Sequence, residues 1–140
     1  MWFDTDVLTR LQGVMDRFAP LVGILGGTEK GDLDEARAAC IDYLANELTP
    51  LNDVRIAEAV GGPCPTLLVG GEAELADRLI LYTHGGGYAS GGPAMYRRLA
   101  GKLATLTGAQ VFVSDYRPAP EHPFPAPIDD VAATYCWLLG

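Results

Sequence analysis

Residues 79–92 read Leu79-Ile-Leu-Tyr-Thr-His84-Gly-Gly-Gly-Tyr88-Ala-Ser-Gly-Gly92, a short apolar run that stops at a histidine and opens into three glycines. The run Arg78–His84 has the continuous apolar character of a strand buried on both faces of a sheet. Glycine weakens any regular element it enters, because its backbone gives up more freedom on ordering. A glycine triplet directly after so stiff a segment therefore marks a place where bare backbone is needed.

The flanks of this stretch carry alternating strand and helix signals. Downstream, Met95, Leu99, Leu103 and Leu106 make a helical stripe, with Arg97, Arg98 and Lys102 on the other side and Gly108 as the C-terminal cap. QVFVSD (110–115) reads as a strand, and Ile128–Leu139 as a helix with Asp129 and Asp130 in its first turn, where the helix dipole favours acids. Upstream, VRIAEAV (54–60) and TLLVG (66–70) read as strands around the turn signal GGPCP. This order predicts an α/β architecture: a mostly parallel sheet, right-handed crossovers and helices on both faces.

The first fifty residues are different. Val7, Leu8, Leu11, Val14, Met15 and Phe18 fall at helical spacing over residues 5–18, with Thr5 as N-cap. A glycine-bearing break (23–31) precedes a second helix that opens with Asp32 and Glu35, close to a capping box. That helix places Ala36, Cys40, Tyr43, Leu44 and Leu48 on one face and stops before Pro50. Both stripes read as core packing.

Composition narrows the function. One chain of 140 residues with 49% hydrophobic content and a net charge of −8 is a globular protein without the basic surface that nucleic acid or anionic membranes require. Its acidic N-terminus lacks the basic start and apolar run of a signal peptide, and no segment has the length of a membrane span, so a cytoplasmic protein is expected. Cys40, Cys64 and Cys136 are too few and too scattered for a disulfide framework or a zinc site. Neither a metal nor a cofactor is expected.

Glycine loops after strands also bind phosphate. The dinucleotide pattern started at Gly85 fails at Ser90, and the P-loop spacing Gly86–Gly91 is followed by Gly92 where lysine is required. The other use of exposed backbone N–H groups is to hold the negative oxygen of a tetrahedral acyl-transfer intermediate. His84-Gly85-Gly86-Gly87 matches the HGGG-type oxyanion loop of lipases and esterases. A purely structural glycine turn is the alternative.

A second stretch decides between them. Asp115-Tyr-Arg117-Pro118-Ala-Pro120-Glu121-His122-Pro-Phe124-Pro125-Ala126 resembles the Y-R-L-A-P-E-x-P-F-P-A segment of the hormone-sensitive-lipase-like esterases, an α/β-hydrolase family, with Pro118 where the family usually has leucine. The resemblance is strong over residues 78–131. It implies carboxylic-ester hydrolysis of a small-molecule ester, oxyanion donors at Gly85, Gly86 and Gly87 with the last two foremost, His84 as the residue that positions the loop, and Tyr88 as a lining of the substrate pocket. Residues 1–50 would be cap-type helices, and 51–140 the N-terminal part of the catalytic domain. Arg117 and Glu121 would brace the second motif, and at least one X–Pro bond there, Ala119–Pro120 or Phe124–Pro125, is expected to be cis.

The family's G-x-S-x-G nucleophile elbow is absent: Ser90 and Ser114 are the chain's serines, and neither has that spacing. The expected reading is an esterase portion whose serine, acid and histidine lie on a separate chain or a further C-terminal segment, inactive by itself. The alternatives are a hydrolase-derived ligand-binding module without catalysis and a self-associating fragment. In the family's strand order the elbow strand adjoins Arg78–His84, which would leave that strand an open edge.

Overall fold

A computed structural model describes residues 5–47, 54–71 and 78–140. The chain divides into two compact units, Met1–Glu47 and Leu48–Gly140.

The first unit contains helices α1 (Thr5–Leu25) and α2 (Leu33–Glu47). Helix α1 runs on through Pro20, past the end expected from its stripe, although proline deprives the preceding turn of a donor. It ends where Gly26 and Thr28 return their amides to Val22 and Gly23 at 2.9 Å each, with Gly27 in the left-handed region at φ 70°. The helices meet through Leu21 and Cys40, both buried, and through Arg17, whose guanidinium lies 5.2 Å above the Tyr43 ring. Asp32 caps α2 by accepting the Glu35 amide at 3.0 Å, as its sequence predicts. The expected stripe on α1 packs only in part: Val14 and Phe18 are half-buried, whereas Val7, Leu8, Leu11 and Met15 are exposed. Two helices share one contact line, and α1 uses Gly13, Val14, Phe18 and Leu21 for it. The expected end of α2 before Pro50, and Leu48 on its face, lie outside the described residues.

The second unit is built on strands β1 (Val54–Glu58), β2 (Thr66–Gly71), β3 (Leu79–Thr83) and β4 (Gln110–Ser114), in the spatial order β1-β2-β4-β3. Helix α3 (Pro93–Thr107) links β3 to β4, and α4 (Ala126–Leu139) follows. The expectation of a mostly parallel sheet needs correction. β1–β2 and β2–β4 are antiparallel, and only β3–β4, the pair joined through a helix, is parallel among the described strands. The short loop from β1 to β2 can only reverse the chain, whereas the α3 crossover returns it in the same direction from β3 to β4, and β2 runs opposite to that pair.

Helices cover both faces, as expected. Val111 and Val113 of β4 pack with Val69, Ala100 and Ala104 in a cluster flanked by Ile80, Tyr82, Tyr96 and Leu103, which is the α3 side. The alternate residues Phe112 and Ser114 face α4: Trp137 meets Phe112 edge-on at 6.3 Å, and the Cys64 thiol lies 3.3 Å from both Ser114 and Thr134. Helix α3 docks through only part of its expected stripe, with Met95 buried and Leu103 half-buried against the core. Leu99 and Leu106 are exposed, and Ala100, Gly101 and Ala104 are buried, because small residues let the helix backbone approach the sheet. Gly108 caps α3 at φ 68° and donates to the Ala104 carbonyl, as the sequence indicates. Strand β3 is half-buried rather than buried on both faces, since β4 is its one partner among the described strands.

Candidate oxyanion site

The glycine loop leaves the C-terminal end of β3, the end from which ligand sites in open α/β sheets are built. Gly86, Gly87 and Tyr88 have φ of 138°, 63° and 61°, so the chain passes through three successive conformations that glycine tolerates and other residues resist. Tyr88 holds its left-handed backbone without being glycine, at a cost of about 1–2 kcal/mol.

Hydrogen bonds fix the loop from behind. The Tyr116 hydroxyl donates to the His84 carbonyl at 2.8 Å. His84 Nδ1 lies 3.1 Å from the Gly85 carbonyl, which requires the imidazole proton on Nδ1. The Gly86 carbonyl accepts the Ala89 amide at 3.2 Å, the Ser90 amide at 3.0 Å and the Ser90 hydroxyl at 3.0 Å. The Tyr88 carbonyl accepts the Ala119 amide at 2.7 Å. In a trans peptide the C=O and the following N–H point in opposite directions. Each anchored carbonyl thus aims the amide of Gly85, Gly86 or Gly87 away from its anchor, and none of these amides donates to another group among the described residues.

His84 is 5% exposed and lies between two tyrosines, with ring centroids 4.1 Å from Tyr116 and 6.0 Å from Tyr96. Burial pushes its pKa below the ordinary histidine value, against smaller opposing effects of the Gly85 carbonyl and the Asp115 charge. Its Nε2 is buried without a hydrogen-bond partner among the described residues. Burial in turn raises the pKa of Asp115, which the neighbouring imidazole partly offsets.

His84, Gly85, Gly86, Gly87 and Tyr88, all five of the residues singled out in the sequence, line one cavity of about 720 Å³, together with Tyr116 and the apolar side of α4. The second motif is the loop's backing. Tyr116 and Ala119 tie it to His84 and Tyr88, and both Ala119–Pro120 and Phe124–Pro125 are cis. Arg117 anchors on Asp130. Its Nε and NH2 groups fork onto Asp130 at 2.9 and 2.8 Å, and its amide donates to the same carboxylate at 2.9 Å, which holds the Asp130 pKa below the usual range. His122 stands apart from the cavity lining. Sequence reasoning missed Tyr116, Ser90 and Asp130. The bonds of Tyr116 to His84 and of Asp130 to Arg117 span 32 and 13 residues and follow no local pattern, whereas Ser90 bonds to Gly86 only four residues back. No group of three or more metal-ligating side chains occurs among the described residues. No helix among them is long and apolar enough to cross a membrane.

Residues 80–140 match the family model described as the α/β hydrolase fold, which sets the class. An ethyl acetate hydrolase of Pseudomonas putida is 32% identical over 117 residues, 77% of this chain and 37% of that protein. An acetyl-hydrolase of Streptomyces hygroscopicus is 47% identical over 62 residues, 44% of this chain and 21% of that one. A hormone-sensitive lipase from a metagenome library superposes with a TM-score of 0.72 at 33% identity, over 90% of this chain and 42% of that structure. An esterase/lipase from an uncultured bacterium gives 0.75 at 27% identity, over 98% and 44%. The chain is similar to the N-terminal portion of the hormone-sensitive-lipase-like esterases of the α/β-hydrolase fold. It spans less than half the length of these relatives.

Proposed function

We propose that this chain supplies the oxyanion loop of a carboxylic-ester hydrolase acting on small-molecule esters. The observation that carries the reading is the set of unpartnered Gly85, Gly86 and Gly87 amides on the wall of an apolar cavity, each aimed by a carbonyl anchored behind it. When a serine attacks an ester carbonyl, charge moves onto the carbonyl oxygen, and fixed amides in a dry cleft stabilise it without reorganising. Gly86 and Gly87 are the principal donors. His84 positions them as a neutral ring, and Tyr88, 57% exposed on the rim, faces the entering substrate. Residues 1–50 act as cap-type helices, and residues 51–140 as the N-terminal part of the catalytic domain.

The serine nucleophile, its acid and its histidine lie on polypeptide outside these 140 residues, a complementary chain or a further segment, because neither Ser90 nor Ser114 stands in an elbow. Ser90 is committed to the Gly86 carbonyl, and Ser114 is fully buried beside Cys64. The chain alone should give no burst with an activated short-acyl ester, and turnover should appear on adding a polypeptide that bears the elbow, acid and histidine. A burst from chain proven free of any partner would sink the assignment. The second reading, a non-catalytic ligand-binding module, draws on the same cavity. It is favoured if a non-hydrolysable ester analogue binds the chain alone as tightly as the complemented species.

A further inference from the structure

Ser90 has no place in either motif, yet it is 7% exposed and bonded directly to the glycine loop. Its hydroxyl and its amide both reach the Gly86 carbonyl at 3.0 Å, and the Ala89 amide joins them at 3.2 Å. A carbonyl oxygen offers two lone pairs, so three converging donors leave its direction little freedom. Gly86 sits at φ 138°, and a Cβ there would collide with the Ser90 carbonyl oxygen and lie 2.6 Å from the carbon that bears it. The two residues are packed backbone against backbone. A serine hydroxyl bonded four residues back is commonly a local turn device. Here the peptide it holds is the one whose N–H belongs to Gly87, and Gly87, unlike Ser90, lines the cavity.

We propose that Ser90 is a positioning residue of the oxyanion loop: its hydroxyl locks the Gly86 carbonyl inward and so turns the Gly87 N–H outward, toward a tetrahedral oxyanion in the cavity. The inference rests on reading this loop as an oxyanion site. It adds that a side chain outside the His84–Gly87 motif joins two backbone amides in setting the direction of the Gly87 amide. Tyr116 and His84 perform the equivalent task for Gly85 and Gly86 through their own carbonyl contacts, so the effect of Ser90 should be confined to Gly87.

The test follows amide resonances of the labelled chain by NMR while methylphosphonate, a tetrahedral oxyanion, is added to wild type, Ser90→Ala and Ser90→Thr. Wild type should show saturable shifts at Gly86 and Gly87. In Ser90→Ala the Gly87 resonance should move and the affinity should fall about 2- to 10-fold, the equivalent of one neutral hydrogen bond, with the Val69, Val111 and Val113 core signals unmoved. Ser90→Thr keeps the hydroxyl and should restore both. Wild-type affinity and an unmoved Gly87 resonance in Ser90→Ala would overturn the proposal, as would Ser90→Thr behaving like Ser90→Ala in a natively dispersed spectrum. If methylphosphonate saturates no form, the oxyanion reading fails. The grip of Ser90 on the Gly87 amide is then upheld by a Gly87 resonance displaced in Ser90→Ala and restored in Ser90→Thr, and rejected by one that stays in place.

Discussion

Gly86 and Gly87 stand side by side in the loop, yet the structure predicts very different responses to a single added methyl group. At Gly87 a Cβ meets nothing within 4 Å, so Gly87→Ala carries only the left-handed φ of 63°, at about 1 kcal/mol. At Gly86 the φ of 138° is almost closed to residues with a Cβ, and that atom would run into the Ser90 carbonyl group. Backbone cannot swing aside as a side chain can. The conformational cost of about 1–3 kcal/mol is therefore joined by an overpacking cost of about 1–3 kcal/mol. Gly86→Ala should lose about 3 kcal/mol, toward the lower end of the two costs combined and roughly 2 more than its neighbour, a ratio of about 30 in the unfolding equilibrium. Urea unfolding followed through Trp137, which packs against Phe112 in the core, reads the difference. With m of about 1–3 kcal/mol/M, the midpoint should fall by about 1–3 M for Gly86→Ala and by less than about 1 M for Gly87→Ala. Protein concentration must be held fixed, because association contributes to apparent stability. Equal midpoint shifts, or a larger one at Gly87, would refute the steric argument.

Two further outcomes follow from the burial of His84 and from the sheet edge. Because burial lowers the His84 pKa, the unfolded chain binds this proton more readily than the folded one. Its contribution to stability is present above the unfolded histidine value of about 6.5 and declines as pH falls below it toward the folded value. Raised Asp115 works in the opposite sense at lower pH, above the ordinary carboxylate value. Unfolding midpoints between pH 8 and 5 should therefore drop for wild type and stay flatter for His84→Phe, which keeps the ring stack on Tyr116 but has no proton to gain; parallel curves would show the imidazole plays no part. At the sheet edge, β3 bonds to β4 through Ile80 and Tyr82, so the parallel ladder leaves the backbone groups of Leu79, Leu81 and Thr83 on the open side. Such an edge is a template for another strand, and sedimentation of pure chain should show a species larger than a monomer. Leu81→Pro removes an outward N–H without touching the β3–β4 ladder and should shift that species toward monomer; an unchanged sedimentation profile would exclude β3 as the contact.

Much of this protein is legible in one dimension. The His84–Gly87 motif after an apolar run, the Arg117–Ala126 segment one helix and one strand later, the cap at Gly108 and the N-cap at Asp32 are local patterns. Local backbone chemistry determines them: glycine's freedom at positive φ, proline's restriction, and the short reach of an aspartate to an amide three residues on. Family and candidate loop followed from those residues. The tertiary structure decided what depends on partners distant in sequence. The β2–β4 pairing made the sheet mixed, small residues joined Met95 and Leu103 in the buried face of α3 while Leu99 and Leu106 stayed exposed, and α1 met α2 along only part of its stripe. It also decided why the two motifs occur together. Tyr116 reaches back 32 residues to the His84 carbonyl, and Ala119 holds the left-handed Tyr88. Periodicity tells which residues prefer the interior, but not which interior surface is within reach. A hydrogen bond across 32 residues exists only once the β3–β4 register has brought its two ends together.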